Sequence, residues 1–162
     1  MIALAIIPIL ILAYFSGILR GAPFLPTKQV RVEGMIAAAG IKPGDKLVDL
    51  GSGDGRIVIA AAKAGAYAYG FELNPLLVLW SRIKIRKAGL QSRASIKWKN
   101  FWFANLQEFD VVTVFGITGI MNKLEQKFSK ELKPGSRVVC NIFPLPNWTA
   151  TKDGGVYKYV VK

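Results

Sequence analysis

Histidine is absent from the 162 residues, and cysteine occurs once, at Cys140. The first absence removes imidazole acid–base catalysis and the common zinc sites. The second removes an internal disulfide and any thiol metal cluster, and no metal is expected. Cys140 itself reads as a small apolar residue within a strand. Acidic residues are scarce, ten against 22 Lys and Arg, which leaves a net charge of +12. Between Glu72 and Glu108 they are missing altogether, while Arg82, Lys84, Arg86, Lys87, Arg93, Lys97 and Lys99 fall there. A stretch of this kind suits nucleic acid, an acidic protein or anionic lipid headgroups, or is simply a solvated helix face.

Charge is also lacking from Met1 to Leu19 (MIALAIIPILILAYFSGIL). At ~1.5 Å per residue such a run extends roughly 28 Å as a helix, about the hydrocarbon thickness of a bilayer. A signal peptide would carry a basic n-region and a small-residue cleavage site, and neither is obvious. Residues 1–19 are therefore expected to form a transmembrane anchor that contacts membrane lipid. Residues 20–29, with Pro23 and Pro26, form an extended connector, and 30–162 form one domain. Arg20, Lys28 and Arg31 follow the run and nothing basic precedes it, so the positive-inside rule expects a single-pass protein with its domain in the cytoplasm.

Val30, Ile36, Ala37 and Ile41 suggest a short amphipathic helix ended by Gly40. Strands are expected at 46–50, 67–72, 94–97, 110–115, 137–143 and 156–161, with helices at 56–64, 74–88 and 121–132 between them. Strands alternating with helices at this spacing imply a mostly parallel α/β sheet covered on both faces.

The densest signal is VDLGSGDGRIVIAAA, Val48 to Ala62, where Gly51, Gly53 and Gly55 alternate between an expected strand and an expected helix. Glycine there lets a ligand approach the backbone. A dinucleotide fingerprint would need glycine where Arg56 stands, and a Walker loop would need G-K-[ST]. The order Asp49-Leu50-Gly51-Ser52-Gly53-Asp54-Gly55, with Glu72 closing the next strand, resembles class I (seven-strand) S-adenosylmethionine-dependent methyltransferases with their Rossmann-like sheet. That resemblance implies a cofactor site at Asp49, Gly51, Ser52, Gly53, Gly55 and Glu72, with Glu72 accepting both ribose hydroxyls. Asn100 and the Phe101 N–H would meet the adenine edge. Arg56 is expected to start the helix and face solvent.

PFLPTKQV (Pro23–Val30), GFELNPLLVLWSR (Gly70–Arg82), DVVTVF (Asp110–Phe115) and IFPLPNW (Ile142–Trp148) extend the likeness. Together they resemble the membrane-anchored lysine methyltransferases of the adenine nucleotide translocase and the ATP synthase c-subunit, with their prokaryotic relatives. Family members often carry an acid at the place of Asn100. The chain also ends early, which leaves completion of the last strand pair open. The resemblance implies transfer of a methyl group from S-adenosyl-L-methionine to lysine on a membrane-associated protein. Expected walls of the acceptor pocket are Pro26, Thr27, Trp80, Trp102, Phe115, Phe143, Pro144 and Trp148, although ordinary packing explains most aromatics singly. A methyltransferase acting on RNA through the basic stretch is the rival reading. A non-catalytic cofactor-binding membrane protein is a third.

Overall fold

Short apolar runs bounded by turns become the central strands. The computed structural model describes residues 26–162. The expected anchor and most of the connector lie outside the described residues; among those described, no helix is long and apolar enough to cross a membrane. The strands are β1 (Lys46–Leu50), β2 (Tyr67–Glu72), β3 (Ala94–Trp98), β4 (Val111–Val114), β5 (Arg137–Asn141), β6 (Thr151–Asp153) and β7 (Val156–Val160). The helices are α1 (Gln29–Ala39), α2 (Arg56–Lys63), α3 (Pro75–Lys87) and α4 (Thr118–Glu131). All seven strands form one sheet in the order β3-β2-β1-β4-β5-β7-β6. The first five run parallel, β7 pairs antiparallel with β5, and β6 with β7. Chain order reverses at β1, which lies between β2 and β4, and open α/β sheets bind ligands at the carboxyl ends of strands beside such a reversal.

Two cores cover the two faces. Val32, Met35 and Ala39 of α1 join Ile57, Val58 and Ala61 of α2 and Val78 and Ile85 of α3 on one side. On the other, Met121, Leu124 and Phe128 of α4 pack with Leu106, Phe109, Leu145 and Tyr159. Local chemistry sets the helix ends. Asn74 caps α3 by accepting from the Leu76 and Leu77 N–H groups, with Pro75 at the first helical position.

Several boundaries differ from expectation. Helix α1 begins at Gln29, one residue inside the expected connector, and buries Val32, Met35 and Ala39 rather than the face containing Val30, which is 71% exposed. Strand β5 stops at Asn141, because Ile142 takes φ 66° and turns the chain away. The sheet's last pair is complete: β6, three exposed residues with no apolar alternation to reveal it, is held to β7 by a hairpin through Gly154 and Gly155.

Gly70 lies where β2 passes beneath the glycine turn. A Cβ there would come within 2.5 Å of both Ile96 Cδ1 and Ser52 Oγ and 2.6 Å of Ser52 Cβ. Gly70→Ala is expected to cost about 1–3 kcal/mol by overpacking. At about 2–4 °C per kcal/mol for a chain of this size, calorimetry should show Tm falling by several degrees.

Candidate functional site

Every second residue of the turn after β1 has a left-handed backbone: Gly51 at φ 78°, Gly53 at 53° and Gly55 at 79°. Side chains rarely tolerate that region, which explains the alternation in the sequence. The Gly51 and Ser52 N–H groups both donate to the Phe71 carbonyl of β2, at 2.9 and 3.1 Å. A Cβ on Gly51 would meet nothing within 4 Å, so this side of the turn is an open cradle, whereas one on Gly55 would lie 2.9 Å from Ser81 Cβ of α3. Ser52 Oγ is buried and lacks a hydrogen-bond partner among the described residues.

Glu72 closes β2 and faces this turn. Its Oε2 accepts from the Gly53 N–H, and Oε1 accepts from the Leu73 and Asn74 N–H groups, each at 2.8 Å. A carboxylate offers about four lone-pair sites. One further donor therefore fits Glu72 as it stands, and a second only by displacing a backbone N–H. Asp49, buried at the end of β1, accepts from Thr113 Oγ1 at 2.8 Å. Burial pushes its carboxyl up to about 7 against that hydrogen bond, helped by the charges of Glu72 and Asp54.

Arg56 does not face solvent as expected. Its Nε and Nη2 grip both Asp54 oxygens at 2.9 and 2.8 Å, and Nη1 donates to the Thr27 carbonyl. Lys84 of α3 reaches the same Asp54 carboxylate at 2.8 Å. Burial alone would raise Asp54, but the hydrogen bonds from Arg56 and Lys84 outweigh it and hold the carboxyl at about 2. Nothing local signals this cluster. Asp54 and Arg56 are visible as a pair two apart, but the partner of Arg56 is 29 residues upstream.

The expected acceptor residues separate into groups. Thr27 is buried and fastened to the turn through Arg56, with Pro26 exposed beside it. Phe115 and Phe143, from the ends of β4 and β5, stack with centroids 6.3 Å apart and planes at 23°. Pro144 follows, exposed. Trp148 packs edge-on against Tyr159 and belongs to the α4 core, and Trp102 tilts against Phe101 beneath the Lys123 ammonium. Trp80 stands apart from these. It lies on the outward face of α3, 53% exposed, on a helix packed against β2 and β3 rather than β4 and β5. Asn100 caps the short turn Phe101–Phe103 by accepting from the Trp102 N–H, and its amide nitrogen is unpaired among the described residues.

Sequence reasoning missed the end of β5. Ile142 is the only non-glycine residue with positive φ among those described, and for a β-branched residue this is strain of the kind found at functional sites. Beside it Asn141 is buried, and its Nδ2 has no partner among the described residues. Cys140 is buried and its thiol is pushed up to about 12 by that burial, so it is no nucleophile. Among the described residues no cluster could hold a metal ion.

Asp49 carries a pH signature. Folded, it keeps its proton up to about pH 7, against 3.8 for the ordinary carboxyl, so the folded state binds more protons in that window and stability falls as pH rises through it. Asp49→Asn cannot ionise and keeps an acceptor for Thr113. Denaturant melts should show the variant's stability climbing relative to the parent from about pH 4 to about pH 7, then levelling. A difference independent of pH would contradict the raised carboxyl.

Comparison with known proteins places the chain among methyltransferases. The model of the ANTKMT methyltransferase domain matches residues 49–152. The ATP synthase c-subunit lysine N-methyltransferase of Rattus norvegicus is 42% identical over 82% of this chain, which spans about three-fifths (61%) of that relative's length. A protein-lysine N-methyltransferase of Saccharolobus islandicus is 38% identical over 86% of this chain and 93% of its own. In three dimensions, a structure described as an RNA methyltransferase from Salinibacter ruber in complex with S-adenosyl-L-homocysteine superposes with TM-score 0.80 at 33% identity, covering 85% of this chain and 94% of the other. With the glycine turn, the closing glutamate and the seven-strand order in place, the chain belongs to the family of the ANTKMT methyltransferase domain.

Proposed function

We propose that the protein is an S-adenosyl-L-methionine-dependent protein-lysine N-methyltransferase whose acceptor is a membrane-associated protein. The observation that carries this reading is the match to the archaeal protein-lysine N-methyltransferase across 93% of that enzyme's length. The site fits the cofactor: the open side of Gly51 is what a polar ligand lying on the turn would occupy, while the buried Ser52 Oγ packs beneath the turn toward Gly70. Asp49, Gly51, Ser52, Gly53 and Gly55 would line it. Glu72 would accept a ribose hydroxyl, and Asn100 and Phe101 would border the adenine. When bound, the cofactor supplies a methyl group on a sulfonium already activated for displacement.

The chain's own task is then to position and desolvate the amine. A lysine entering between Phe115, Phe143 and the Pro26-Thr27 segment would lose hydration, which lowers its pKa and makes the neutral nucleophile accessible. Proximity can supply much of the remaining acceleration. Such a mechanism needs neither histidine nor a reactive thiol. The uncharged run Met1–Leu19 would tie the domain to the bilayer as a single pass, with the domain on the cytoplasmic side. Acceptor lysines would then lie close to the membrane surface, as the target in the rat relative's name, the ATP synthase c-subunit, suggests. The Salinibacter structure, described as an RNA methyltransferase, favours a second reading in which RNA is the acceptor.

Two experiments test the proposal. Calorimetry with S-adenosyl-L-homocysteine should show Gly51→Val and Glu72→Gln weakening binding at least about tenfold, the scale of one lost charge-assisted hydrogen bond. Unchanged affinity in both would remove the cofactor assignment. For the acceptor, methyl-labelled cofactor incubated with host membranes should mark protease-sensitive material, and peptide mass spectrometry should place the label on lysine. Label that is nuclease-sensitive instead selects the RNA reading.

A further inference from the structure

Helix α3 is apolar on two opposite faces, and only one of them is covered by the described residues. Val78, Ser81 and Ile85 point inward and are buried. Opposite them, Leu76, Leu79, Trp80 and Ile83 recur at helical spacing, exposed by 50, 58, 53 and 39%. Trp98, on the edge strand β3, extends the patch: it is exposed and its Nε1 donates to the Leu73 carbonyl just before the helix, at 2.8 Å. A helix apolar all round is normally buried all round. A bare stripe this large on a folded domain marks an interaction surface.

The charge around the stripe identifies its partner. Its next turn, on the same face, is Arg86 and Lys87, both exposed and without an ion-pair partner among the described residues. Other cations of the acid-free stretch have partners: Arg82 donates to the Ile96 carbonyl, Lys84 pairs with Asp54, Arg93 donates to the Gly65 carbonyl, and Lys97 and Lys99 lie over the Tyr69 and Phe71 rings. What remains free is thus a basic end on an aliphatic and tryptophan face. Leucine and isoleucine offer little to RNA, which is bound by phosphate contacts and by stacking. They suit the acyl boundary of a bilayer, with tryptophan and the cations at headgroup level.

We propose that the outward face of α3, with Trp98, docks on an anionic lipid surface. Docking would lay the helix in the interface. Because Gly55 abuts Ser81 of the same helix, it would also hold the glycine turn at a set height above the membrane. This inference does not depend on which acceptor is methylated.

The test uses the full chain in vesicles, with Leu79→Cys carrying a fluorescent label; Cys140 is buried and stays unlabelled. In vesicles containing phosphatidylglycerol the label should be shielded from iodide, and in pure phosphatidylcholine accessible. A label at Lys152→Cys, exposed on β6, should stay accessible in both. Arg86→Gln with Lys87→Gln should lower the docked-to-undocked ratio roughly thirtyfold, from ~1 kcal/mol per basic residue near an anionic surface. Three outcomes overturn the proposal: equal accessibility of Leu79→Cys in the two lipids, equal shielding in both (a second copy or the chain's own apolar segment covers the face), or shielding produced by added RNA in neutral vesicles.

Discussion

The carboxylate of Asp54 is where the site is assembled. It takes two hydrogen bonds from Arg56 and one from Lys84, and Arg56 passes the connection on to the Thr27 carbonyl. Three segments distant in sequence are thereby fixed around one turn: the entry to α1, the glycine loop and the last turn of α3. Arg56 and Lys84 each keep about a third of their side-chain surface in solvent (31%), so the pairs add little stability, on the order of 1 kcal/mol or less each. Their contribution is position. Without it the Pro26-Thr27 segment would have no charged tether to the cradle it borders.

Around that cluster three ionisable groups are held away from their ordinary titration ranges. Asp49 is raised by burial, Asp54 is lowered by its cations, and Cys140 is inert. If the ligand brings its own leaving group, what the site must supply is an amine that has already lost its proton to solvent, which desolvation favours. Shape and dryness then matter more than titration. The stacked Phe115 and Phe143, supported by the strained backbone at Ile142, supply an apolar wall at the ends of β4 and β5. The loop behind them is held by Asn147 donating twice to Glu125, and by the Leu145 N–H donating to the Tyr159 hydroxyl.

The basic stretch illustrates how a composition signal divides once a fold exists. Seven cations in a run without acids read from sequence as a single patch. In the structure Arg82, Lys84 and Arg93 serve the fold, Lys97 and Lys99 lie over Tyr69 and Phe71, and Arg86 and Lys87 have no ion-pair partner among the described residues, beside an apolar stripe. The apolar stripe was present in the sequence as Leu76, Leu79, Trp80 and Ile83, but helical periodicity alone cannot say which of two apolar faces is turned inward.

Local chemistry made much of the protein legible in advance. Alternating glycines with a leading Asp49 and a closing Glu72 announce the turn and the strand it faces, because only a backbone of left-handed glycines passes there. Apolar runs of strand length separated by capped helices announce the parallel sheet, since each run must be covered on both faces. What the sequence could not determine depends on residues far apart in it. The union of Arg56 with Thr27, the outward exposure of Trp80, the turn at Ile142 and the exposed strand β6 were all decided by tertiary structure. The reason is common to them: hydrogen-bond partners, and the choice of which face is buried, exist only after the sheet has brought distant segments together.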